Sequence, residues 1–212
     1  MLSSALLCIA LISVDGAWEL VWGDEFNEPS LNTSLWNVNA NVSEGNPATS
    51  NQIELYTADN VFLKDGHLVL RTIPRNVTHA GIEFNITSGR VDTQYNANAS
   101  FSAGGRLEVR AQLQNDAASG IHTAHWLLGY GCWPVAAEID IMECQSPRNV
   151  YNGMPGASWQ VATSNYHWGT QCNTETHHTS GTSEWPKTAG GSGNFSSVFT
   201  TPAPPLLAPA PR

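Results

Sequence analysis

Between Trp133 and Glu143 the chain reads Trp-Pro-Val-Ala-Ala-Glu-Ile-Asp-Ile-Met-Glu, three carboxylates in six residues whose other members are apolar. Side chains alternate faces along a strand, so Glu138 and Asp140 share one side and Ile139 and Ile141 the other. This suits an inner strand, with isoleucines in a core and acids facing a cleft. Strict alternation would send Glu143 to the isoleucine side, where an unpaired carboxylate is costly, so a β-bulge around Ile141 and Met142 is predicted to return it to the cleft. The plainer reading is an acidic edge strand. The isoleucine pattern and the Trp133-Pro134 lead-in weigh for burial.

The rest of the chain reads as strands and turns, without a sustained helical period. Trp18, Leu20 and Trp22 alternate with Glu19 and Val21 ahead of Asp24-Glu25-Phe26. Val61 to Leu63 and Leu68 to Leu70 flank Lys64-Asp65-Gly66-His67, a hairpin signal because Asp-Gly accepts the positive φ such a turn requires. Arg106, Glu108, Arg110 and Gln112 alternate with Leu107, Val109, Ala111 and Leu113, a strand with one wet side. A polar loop over 114–120 follows, and Ile121 to Leu128 re-enters a core. An all-β sandwich of this length is commonly one domain.

Three acids on one groove have a chemical use. Glycoside hydrolysis needs one carboxylate as nucleophile or base and another as acid, about 5 to 5.5 Å apart in retaining enzymes. Like charges held together push carboxylate pKa values apart, so that one is ionised while its neighbour keeps a proton. That chemistry requires no metal and no cofactor.

The run Trp133-Pro134 with Glu138-Ile-Asp140-Ile-Met-Glu143 resembles the active-site signature of glycoside hydrolase family 16 in its laminarinase-like, β-bulged form. Thr87-Ser-Gly-Arg90-Val91, Gly104-Gly-Arg-Leu-Glu-Val-Arg110 and His125-Trp126-Leu-Leu128 precede it in the family's order. The resemblance covers roughly Trp22 to Phe199 and implies a jelly-roll β-sandwich of two antiparallel sheets. It also implies a retaining endo-β-glucanase with Glu138 as nucleophile, Asp140 as its helper and Glu143 as acid/base. The glycine usual before the first Glu is Ala137 here, a change a strand position is expected to tolerate. Trp126, Trp133 and His167 match positions around the family's cleft, where aromatic faces stack on sugars and polar groups meet hydroxyls. Asn51 and Arg90 are further candidates for substrate contact, Arg90 equally for structural pairing.

Leu2 to Val14 is an uncharged, mostly apolar run too short to span a bilayer, and it reads as a signal peptide cleaved after Gly16. Asn-x-Ser/Thr sequons at Asn32, Asn41, Asn76, Asn85, Asn98 and Asn194 agree with secretion to the extracellular space or cell wall. The domain is then expected over residues 17–199, with a Pro-rich tail over 200–212 that cannot supply ladder donors. The family pattern continues into further strands at that point, so the domain reads as truncated.

Only 9 Lys and Arg stand against 18 Asp and Glu, which argues against nucleic acid and, after signal cleavage, against a membrane surface. The expected partner is a β-glucan polysaccharide, bound by a monomer. Beyond the leader's Cys8, Cys132, Cys144 and Cys172 allow one bridge and one spare thiol, with the pairing open. Zinc held by these cysteines with His177 and His178 is a remote alternative, because the usual ligand spacings are absent. The readings carried forward are hydrolysis of β-1,3 or mixed β-1,3/1,4 glucan, glucan transglycosylation, and glucan binding without turnover.

Overall fold

Hydrophobic alternation builds strands nearly throughout the computed structural model, which describes residues 6–14, 17–49, 52–96, 99, 105–112, 121–145, 161–173, 177–184 and 194–200. One four-stranded antiparallel sheet runs in the order β15 (Asn194–Thr200), β10 (Gly105–Gln112), β1 (Leu6–Val14) and β2 (Ala17–Asp24). A second runs β11 (His122–Leu128), β12 (Glu138–Gln145), β13 (Val161–Trp168) and β14 (His177–Glu184), also antiparallel. Short ladders fill in around them. β3 (Asn37–Val38) pairs with β9 (Val91–Asp92), and β5 (Val61–Lys64) with β6 (His67–Leu70). β8 (Ile82–Ser88) lies between β7 (Ile73–His79) and a parallel β4 (Glu54–Tyr56).

Local chemistry accounts for several of these. Asp65 and Gly66 take φ values of 52° and 73°, closing the β5–β6 hairpin as their residue types require. On β10, Val109 and Ala111 are buried while Arg110 is exposed, and Arg106 donates to Glu108 at 2.8 Å along the polar side. Val109 and Ala111 join Met142 of β12, Trp22 of β2, Leu68 of β6, Phe26 and Trp36 in one buried cluster, which is how the two sheets become a sandwich. Each large side chain buried there contributes about 1.5–3 kcal/mol. Trp22 meets Trp36 edge-on at 5.3 Å, and the Trp36 indole N–H donates to Asp24 at 2.9 Å.

The residues read as a leader, Leu6–Val14, stand in β1, paired on one side with β10 and on the other with β2. Thr200, assigned above to the tail, ends β15, while residues 201–212 and the loop at 113–120 lie outside the described residues.

Candidate active site

The bulge expected in the acidic strand is present. Along β11, Trp126 pairs with Asp140 and His125 with Met142, so Ile141 has no partner opposite it. Along β13, Asp140 pairs with Asn165 and Glu143 with Thr163, leaving Ile141 and Met142 together against Ser164. The Ser164 hydroxyl donates to the Ile141 carbonyl at 2.9 Å and fastens the irregularity. Met142 turns fully into the core, at 1 % exposure, and Glu143 turns back to meet Asn165 and His122. A single amide documents the result: Asn165, paired with Asp140 across the ladder, donates to Oε2 of Glu143.

The segment leading into β12 is held at several points. Gly129 N–H donates to the Ala137 carbonyl and Ala136 N–H to the Cys132 carbonyl, each at 3.0 Å. A side chain at 129 would put its Cβ 1.8 Å from the Ala136 carbonyl oxygen, so only glycine fits there. Cys132 is bonded to Cys172, and Asn173 N–H donates to the Trp133 carbonyl at 2.7 Å. Thus one of the three open pairings is settled; the Cys144 side chain lies outside the described residues. The Trp133-Pro134 peptide is cis, and the Trp133 indole N–H donates to Oε2 of Glu138 at 2.6 Å.

Ala137 departs from expectation. It precedes β12 and has φ of 61°, the left-handed region that penalises a Cβ. The substitution of glycine by alanine is therefore not neutral at this position, because the chain turns there before it extends.

Trp133, Trp126 and His167 gather around the acids. His167 Nε2 lies 2.9 Å from Asp140 Oδ2, and its ring is 6.1 Å from that of Trp133. Trp126, opposite Asp140 on β11, lies beneath the Arg90 guanidinium at 4.9 Å. Arg90 also pairs with Glu44 and faces the Tyr56 ring, so its contacts here are those of a structural cation on the groove wall. Asn51 lies outside the described residues. Two contacts on the acids were not anticipated: Asn165, and His122, whose Nε2 is 3.1 Å from Oε1 of Glu143. Sequence spacing gave no sign of the second, since the bulge creates the diagonal that joins them.

Charge is distributed unevenly over the three acids. Burial and then the charge of Asp140 push Glu138 up, partly offset by the Trp133 hydrogen bond. Asp140, 4 % exposed, is raised by burial and by Glu143, against the pull of His167. Glu143 is held down, chiefly by its hydrogen bond from His122. The directions therefore diverge along the strand, upward for Glu138 and Asp140 and downward for Glu143.

Ligand atoms of Glu138, Asp140 and His167 fall within 4.8 Å of one another, close enough for a cation. The same atoms are engaged within the protein, His167 with Asp140 and Trp133 with Glu138. The zinc alternative loses two thiolates, because Cys132 and Cys172 form the disulfide.

No protein-family model matches the chain. The chain is 30% identical over 162 residues to glucan endo-1,3-beta-glucosidase A1 of Niallia circulans, covering 67% of this chain and 23% of that protein. It is 32% identical over 142 residues to the glucan endo-1,3-beta-glucosidase of Cryptopygus antarcticus, covering 63% of this chain and 48% of that one. The chain therefore spans less than half the length of these curated relatives. Among solved structures, the laminarinase catalytic domain of Thermotoga maritima matches with a TM-score of 0.66 at 22% identity, over 86% of this chain and 70% of that domain. The jelly-roll sandwich expected from sequence is the fold observed.

Proposed function

The chain is laminarinase-like and belongs with glycoside hydrolase family 16, and on that premise we propose that it is a retaining endo-β-glucanase acting on β-1,3 or mixed β-1,3/1,4 glucan. The observation that carries the proposal is the bulge at Ile141–Met142, which supports Glu138, Asp140 and Glu143 sharing one face of the sheet. Glu138 attacks the anomeric carbon, and its bond to carbon replaces the glycosidic bond as Glu143 protonates the departing oxygen. Water then enters, gives its proton to Glu143 and releases Glu138. Asp140 helps by charge coupling to the nucleophile, while His167 keeps the Asp140 carboxyl in place. Trp133 steadies Glu138 through its indole N–H and offers an aromatic face at the groove.

Glu138→Gln and Glu143→Gln are each expected to abolish reducing-end release from laminarin with circular dichroism unchanged. Activity retained in either variant overturns the assignment.

Secretion belongs to the same proposal. Its support is the apolar run at Leu2 to Val14 and the exposure of Asn32, Asn41, Asn76 and Asn85 in their sequons. Sequencing the amino terminus of the exported protein tests it, with Ala17 as the expected first residue.

A further inference from the structure

Glu143 has both carboxylate oxygens occupied. Asn165, 5 % exposed on β13, donates to Oε2, while His122 on β11 reaches Oε1 at 3.1 Å. These two partners differ in kind. Asn165 is a buried neutral amide paired in register with Asp140, so it holds Glu143 from the core side. His122 is 44% exposed, is not needed to fill the core, and can carry a charge.

From this arrangement we propose that His122 is a positioning residue for Glu143, aiming its Oε1 into the groove and favouring the ionised carboxyl until a sugar chain occupies the site. The proposal rests on the reading of Glu143 as acid/base. An acid must carry a proton when the glycosidic oxygen arrives, yet a donor on Oε1 opposes that proton. Substrate entry therefore has to weaken the His122 contact or meet an imidazole that accepts in place of donating. Among the described residues, the other groups facing Glu143 are Asp140 and, beyond it, Glu138 on β12, and Asn165 and His167 on β13. Asp140 and Glu138 oppose a negative Glu143 and His167 favours it. His122 is the one at the solvent edge of this set, where it can move without disturbing the core.

The direction of the effect follows from the contact. Removing the imidazole removes the leading influence that holds Glu143 low, so Glu143 keeps its proton to higher pH. The alkaline limb of kcat/KM, which reports loss of the acid's proton, then moves to higher pH. His122→Gln keeps a neutral donor at Oε1, so its limb should stay nearer that of the parent and its kcat should exceed that of His122→Ala. His122→Ala releases the carboxyl as well, and kcat is expected to fall about tenfold with KM little changed, since a misplaced reacting group costs rate before it costs binding.

The decisive measurement does not require turnover. In carboxyl carbon-13 NMR of glutamate-labelled protein, the Glu143 signal, assigned by its loss in Glu143→Gln, should titrate at higher pH in His122→Ala than in the parent. Superimposable titrations overturn the proposal. Failure of the parent reading looks different: Glu143→Gln would remain active on laminarin, whatever the NMR titration showed.

Discussion

The indole N–H of Trp133 meets Oε2 of Glu138 at 2.6 Å, joining a residue in the clamped turn to the first acid of β12. That bond lowers the pKa of a carboxyl which burial and Asp140 otherwise raise. Trp133→Phe keeps the ring and deletes the donor. Glu138 should then ionise only at higher pH, so the acidic limb of kcat/KM moves upward while the alkaline limb stays in place. A pH–rate profile on laminarin checks this, and coincident acidic limbs would show that the bond does not tune the nucleophile.

Ala137 bears a left-handed φ of 61° without the freedom of glycine. Relief of that strain, about 1–2 kcal/mol, exceeds the extra unfolded-chain entropy of glycine, about 0.5–1 kcal/mol. Ala137→Gly is therefore expected to stabilise the protein by about 0.5–1 kcal/mol, read as a higher urea midpoint at unchanged slope.

The Cys132–Cys172 bridge ties the Trp133 turn to the residues after β13. Cys132→Ser should cost about 2–4 kcal/mol in stability. It should also lower kcat, because the turn that aims the indole at Glu138 keeps only the Asn173 hydrogen bond from that side. Thermal unfolding with and without reductant measures the first effect, and laminarin assays at a temperature where the variant is fully folded isolate the second.

His125 is pushed down to about 4 by burial beside the acidic strand. In the unfolded chain a histidine takes its proton near pH 6.5, so below that pH the unfolded state binds the extra proton and gains on the folded one. Stability should fall by on the order of 3 kcal/mol as pH drops from about 6.5 to 4, then level off as His125 protonates in the folded state. His125→Gln should lack this slope in urea melts across that range. A parallel pH dependence in parent and variant would reject the attribution.

Much of this was legible from residue order. The burial conflict at Glu143 forced a bulge, and the structure has one at Ile141–Met142. Asp65-Gly66 announced its hairpin, and the alternation of Arg106 to Gln112 announced β10 with its wet side. The contacts across the groove were not legible in the same way. His122 reaches Glu143 because the bulge displaces the register by one residue between His125 and Trp126, a shift that spacing along either strand cannot encode. Asn165 was visible within its motif, but its hydrogen bond to Glu143 was not. The conformation of Ala137 escaped notice because a residue just ahead of a strand reads as extended, whereas the carbonyl of Ala137 must turn to accept from Gly129. The cysteine pairing likewise depended on where β13 ends relative to the Trp133 turn.

The place of β1 carries one more consequence. Leu6 to Ile12 bond along β10 and Cys8 to Val14 along β2, so this segment is an interior rung of its sheet. Neighbouring strands lie about 4.8 Å apart, and a protein trimmed behind Gly16 would therefore hold a vacant lane roughly 9–10 Å wide, lined on both sides by idle amides and carbonyls.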